Sequence, residues 1–140
     1  MCSLNQLFLL LFVIMSLVSA KEQTRINVTL EDYYHWLSGF QPLMAKTMLS
    51  IIEHINDFLK ERTVYCHTSH EAIVLQTGPE IISSELIIRI QCQPSDYTKL
   101  MIMSYILRES EFSDGIIGQN LDVKECLKIV SDYLMIESSN

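Results

Sequence analysis

The spacing of apolar residues predicts a long amphipathic helix over residues 42–61. Apolar side chains recur there at intervals of three and four residues, which places them on one face of a helix. They are Met44, Met48, Ile51, Ile52, Ile55, Phe58 and Leu59. A shorter helix precedes it, because Thr29 can cap a helix start and Asp32 suits the first turn. Gly39 and Pro42 interrupt the pattern between the two helices.

Strand patterns follow on both sides of a Gly-Pro-Glu break within residues 64–92. Both runs are rich in β-branched and aliphatic residues, and a short break with glycine between such runs is typical of a β-hairpin. If Thr77 and Ile81 pair at the loop, Cys66 falls opposite Cys92. This segment is therefore predicted to be one long hairpin.

The same register predicts a Cys66–Cys92 disulfide. Opposed residues of an antiparallel pair have Cβ atoms about 4.5–5.5 Å apart, and a disulfide needs about 3.5–4.5 Å, so the bridge requires little adjustment. The alternative is two reduced cysteines that pack as small apolar side chains.

Residues 100–107 are apolar on both sides of a strand, which favours a third antiparallel strand in the centre of the sheet. The alternative is a helix capped by Ser95. Residues 109–119 are polar and contain glycine, which predicts a loop with a brief strand at Ile116 and Ile117.

A final amphipathic helix is predicted over residues 121–135, with Asn120 as its cap. Its apolar stripe contains Cys126 and therefore turns this thiol inward. The predicted fold class is α+β: amphipathic N-terminal helices packed on a three-stranded antiparallel meander and closed by a C-terminal helix.

Residues 1–20 carry no charged side chain, and residues 7–17 are apolar apart from Ser16. A helix that crosses a bilayer needs about 20 apolar residues, so this run is short for a membrane span. Small residues up to Ala20 complete the pattern of a secretory signal peptide. We therefore predict a single secreted, extracellular domain over residues 21–140. An uncleaved membrane anchor is the alternative.

The charge and the cysteine count limit the class of partner. The formal net charge is −7, which argues against nucleic acid or an anionic membrane as the partner and leaves a basic protein open. Asn27 begins an Asn-Val-Thr sequon, a glycosylation site in a secreted protein. Three cysteines follow residue 20, so Cys126 is a free thiol, a bridge to Cys66 or Cys92, or the link of a disulfide-bonded homodimer.

No residue pattern indicates an enzyme, a cofactor or a metal site. The chain has no Gly-x-Ser-x-Gly motif. The carboxylates Glu109, Glu111 and Asp114 fall in the predicted loop, where general acid–base chemistry lacks a desolvated pocket. His67 and His70 are an odd number of residues apart on a strand, so they point to opposite faces and cannot share a metal.

A cluster of aromatic residues, Tyr33, Tyr34 and Trp36, has two interpretations. Tyrosine and tryptophan contribute strongly to many protein interfaces, so the cluster can form an interaction surface. It can equally pack the first helix against the sheet, which is the more common use of such residues.

Three functions fit these observations. The first is a small extracellular protein-binding domain without catalytic chemistry. The second is a carrier of a small apolar ligand or lipid in a pocket between helix and sheet. The third is a disulfide-stabilised inhibitor of a secreted enzyme, which needs a rigid exposed loop such as residues 77–80.

Overall fold

The computed structural model describes residues 17–26, 28–59, 63–108 and 111–138. Its centre is a mixed sheet of six strands in the order β1 to β6, in which β1 is parallel to β2 and every other pair is antiparallel. The strands are β1 (Leu17–Ser19), β2 (Val64–Ser69), β3 (Ala72–Gln76), β4 (Leu86–Gln93), β5 (Asp96–Arg108) and β6 (Glu111–Leu121). The predicted three-stranded meander is therefore wrong, and the α+β class holds only in part.

Helices of different lengths pack against this sheet. They are α1 (Lys21–Ile26), α2 (Leu30–Leu37), α3 (Pro42–His54), α4 (Asn56–Leu59) and α5 (Val123–Ser138). The apolar side chains of α2 to α5 meet alternate residues of the strands, such as Cys66, Leu75 and Ile88, in one core cluster on one face of the sheet, and none of the described side chains of α1 belongs to it. Most of the stripe predicted for α3 is buried, and Thr29 caps α2 by accepting a hydrogen bond from the Asp32 N–H at 3.1 Å. Both helix predictions are confirmed, although the longer helix breaks at Ile55.

The segment 64–92 contains three strands rather than the two of a single hairpin. Cys66 pairs with Leu75 of β3, and Leu75 pairs with Ile88 of β4, so β3 separates Cys66 from the strand of Cys92. Two strand spacings are about 9.5 Å, whereas the Cα atoms of a disulfide lie within about 7 Å. The predicted Cys66–Cys92 disulfide is wrong, and both thiols are free and buried.

The turn between β2 and β3 lacks the usual sequence signal. His70 and Glu71 form it with φ angles of 48° and 69°. A two-residue turn with two positive φ angles normally uses Asn-Gly. Here the hydroxyl of Tyr34, from α2, donates a hydrogen bond to the Glu71 carbonyl oxygen at 3.1 Å. A residue 37 positions away in the sequence therefore helps to hold the turn.

The C-terminal half confirms two predictions and corrects two. Residues 100–107 lie in β5 as a strand between β4 and β6, and the final helix is α5. The predicted loop over residues 109–119 is wrong, because β6 pairs along β5. Asp122 rather than Asn120 caps α5, since Asp122 Oδ1 accepts from the Glu125 N–H at 2.7 Å and Glu125 Oε1 accepts from the Asp122 N–H at 3.2 Å.

The end of the predicted signal peptide lies within the fold. Leu17 and Ser19 pair with Val64 and Cys66, and Ala20 is fully buried, with its N–H donating to the Cys66 carbonyl oxygen at 2.8 Å. Cleavage after Ala20 stays a prediction, and residues 1–16 lie outside the described residues. Within the described ranges, no helix combines the length and the apolar character needed to cross a membrane.

Candidate functional site

The three cysteines of the described residues are buried free thiols. Burial raises the pKa of Cys66 and Cys126 to about 12 and that of Cys92 to about 11. Because the thiolate is the reactive form, these side chains are poor nucleophiles and poor metal ligands at neutral pH. Burial of Cys126 also leaves no exposed thiol there for a disulfide-linked homodimer.

This arrangement predicts slow alkylation of the native protein. We expect iodoacetamide to leave Cys66, Cys92 and Cys126 unmodified in the folded protein, and to modify all three after unfolding in urea without a reductant. Intact-mass and peptide mass spectrometry measure the result. If a cysteine of the unfolded protein were alkylated only after a reductant is added, that cysteine would be in a disulfide.

The other candidate chemical groups do not converge. His67 is buried on β2 and His70 lies in the exposed turn, and burial lowers the pKa of His67. Among the described residues, no group of three possible metal ligands comes together. Glu111 and Asp114 belong to β6, while Glu109 and the sequon residue Asn27 lie outside the described residues.

The aromatic residues of α2 divide between the core and the surface. Tyr34 is fully buried, whereas Trp36 is 63% exposed, and Tyr33 is half-buried between them. The Trp36 ring contacts Tyr33 at a centroid distance of 5.9 Å and Phe40 at 4.6 Å. We call Tyr33, Trp36 and Phe40 the aromatic surface.

Phe40 belongs to this surface because the chain keeps turning after α2. The N–H of Phe40 donates to the Leu37 carbonyl oxygen at 3.1 Å and the N–H of Gly39 to that of Trp36 at 3.2 Å. This turn brings the Phe40 ring onto Trp36, and 55% of Phe40 remains exposed. Phe40 is not among the site residues predicted from the sequence, although its spacing of four residues from Trp36 is a signal that could have found it.

Acidic residues lie beside the aromatic surface. Glu31 and Asp32 occupy the first turn of α2 and are exposed. Asp32 precedes Trp36 by four residues, so the two side chains lie on the same side of the helix. The surface therefore combines aromatic rings with negative charge.

A separate polar cavity of about 230 Å³ lies beside the turn formed by His70 and Glu71. A second cavity of about 160 Å³ is lined by residues near the N-terminal end of the described chain, including Ser19 and Gln23. Comparison with known proteins found no family model, curated protein or solved structure that matches this chain.

Proposed function

We propose that this protein is a small secreted protein-binding domain without catalytic chemistry, and that it binds through the aromatic surface. The observation that supports this most strongly is the exposure of Trp36, on a helix whose Tyr34 and Leu37 are buried. Contiguous exposed aromatic rings are uncommon on a protein that has no partner. Tryptophan and tyrosine are also enriched among the residues that dominate binding energy.

The charge around this surface favours a partner segment that contains lysine or arginine. Cations bind to the faces of Trp, Tyr and Phe rings, and Glu31 and Asp32 supply carboxylates beside them. The net charge of −7 adds long-range attraction for a basic segment. The proposed partner is therefore an extracellular protein with an exposed basic segment.

The test compares two exposed apolar residues. The wild-type protein and the variants Trp36→Ala and Ile82→Ala are immobilised separately and incubated with extracellular fluid. The proteins that bind are identified, and their affinities for each of the three are measured. Ile82 is 88% exposed and lies in the short 3-10 helix between β3 and β4, so it is a matched control. We expect Trp36→Ala to weaken binding at least tenfold, a typical loss at a dominant interface residue, and Ile82→Ala to leave it unchanged.

Two further measurements test the chemistry of the partner. Asp32→Asn is expected to weaken binding, and added salt should reduce the difference between this variant and the wild type, because salt screens exposed charges. A cooperative thermal unfolding transition in each variant establishes that it is folded. A captured protein that binds Trp36→Ala and wild type equally would overturn the proposal.

The alternative functions have less support among the described residues. A carrier of an apolar ligand needs an apolar pocket, but the 230 Å³ cavity has four charged or polar side chains in its lining. An inhibitor needs an exposed loop near residues 77–80, but Gly78 is buried and its N–H donates to the Ser84 hydroxyl at 3.0 Å.

A further inference from the structure

The 230 Å³ cavity lies where β4 extends beyond β3. The last pair between these strands is Ile73 with Ile90, while β4 continues to Gln93. The turn between β2 and β3 borders the opening. His70, Glu71, Arg89 and Gln91 provide the polar lining.

Arg89 has unused hydrogen-bonding capacity at this cavity. The side chain is half-buried, and its Nε donates to Gln91 Oε1 at 2.9 Å. Among the described residues, the one ion pair within 4 Å joins Lys21 to Glu80, so no described carboxylate forms an ion pair with Arg89 at that distance. The two Nη groups of a guanidinium form a planar fork that matches a carboxylate.

The rest of the lining sets the size and character of a ligand. Met44, Cys92 and Tyr97 contribute apolar surface. The cavity volume of about 230 Å³ is smaller than the ~300–1,000 Å³ of pockets for drug-sized ligands, which suits a short molecule rather than a long lipid chain. We propose that this cavity binds a small carboxylate with a short apolar body, and that Arg89 is its anion-binding residue.

Gln91 favours the binding of a carboxylate at this site, and Glu71 opposes it. The bond from Arg89 Nε to Gln91 orients the guanidinium and leaves its outer edge for the ligand. Glu71 lines the same cavity and repels a second carboxylate. The turn sets the position of Glu71, which has a φ of 69° and whose carbonyl oxygen accepts the hydrogen bond from Tyr34. The site therefore contains one attractive and one repulsive charge. It uses none of the residues of the aromatic surface.

The test titrates the full-length protein with butyrate and follows the amide and Arg89 Nε signals by NMR. We expect a saturable shift at Arg89 and Gln91. Arg89→Gln should weaken butyrate binding at least tenfold. Arg89→Lys should bind more tightly than Arg89→Gln but more weakly than the wild type, because an ammonium group lacks the planar fork of a guanidinium. Lys124→Gln is the matched control, since it removes the same charge from an exposed position on α5.

Glu71→Gln provides a second, independent variant. Removing the repulsive charge is expected to tighten butyrate binding several-fold while the fold is unchanged. Absence of a saturable shift, equal binding by Arg89→Gln and Lys124→Gln, or weaker binding by Glu71→Gln would overturn the proposal. A parallel titration with inorganic phosphate distinguishes the two common anions: tighter binding of phosphate than of butyrate would overturn the assignment to a carboxylate.

Discussion

Replacing Tyr34 with alanine is expected to lower the free energy of unfolding by about 3–5 kcal/mol, the range for aromatic truncation in a core. The side chain is fully buried and belongs to the core cluster beside Leu37 and Met48. Truncation leaves a cavity and also removes the hydroxyl that holds the turn at Glu71. Urea unfolding followed by circular dichroism measures the loss.

Two variants of the same helix make this prediction specific. Tyr34→Phe keeps the ring and removes the 3.1 Å hydrogen bond to Glu71, so it should cost about 1 kcal/mol. Trp36→Ala removes a larger ring from an exposed position and should cost less than ~1 kcal/mol. If Trp36→Ala proved as destabilising as Tyr34→Ala, the division of these aromatic residues between core and surface would be incorrect.

Removing β1 is the second change with a large expected effect. A chain that begins at Lys21 loses the pairing of Leu17–Ser19 with β2 and the hydrogen bond from Ala20 to Cys66. Each lost hydrogen bond costs ~0.5–1.5 kcal/mol, and the truncation also exposes apolar surface. We therefore expect the free energy of unfolding to fall by about 2–3 kcal/mol. The matched control is a chain that begins at residue 17, and urea unfolding compares the two.

The same pair of chains bears on the predicted signal peptide. Cleavage after Ala20 produces the shorter chain, in which the outer edge of β2 loses its neighbour and can pair with another chain. N-terminal sequencing of the natural protein identifies which form exists. Equal stability of the chains beginning at residue 17 and at Lys21 would mean that β1 contributes nothing to the fold.

Local patterns were sufficient for part of this structure. The apolar stripe that includes Met48 and Ile51 predicted the helix α3. The prediction that Thr29 caps the preceding helix was also correct. The β-branched and aliphatic run that was predicted as a strand is β4, and Leu86, Ile88 and Ile90 lie on its buried face. These features depend on neighbours within a few residues, so the periodicity of the sequence contains them.

Part of the candidate sites was also visible in the sequence. Tyr33 and Trp36 stood out as aromatic residues close together, but α2 directs Tyr34 inward and Trp36 outward. Arg89 is not among the site residues predicted from the sequence, because a single arginine on a strand has no local signal. Its cavity forms only where the end of β4 meets a turn from another part of the chain.

By itself, the sequence determined the main helices, the strand character of β4 and the net negative charge. The tertiary structure alone decided that a turn lies at His70 and Glu71, that β1 and β6 extend the sheet, and that β3 separates Cys66 from Cys92. The physical reason is the range of the interactions involved. Helix stripes and caps depend on residues within about one turn, whereas strand partners and register depend on contacts between distant segments.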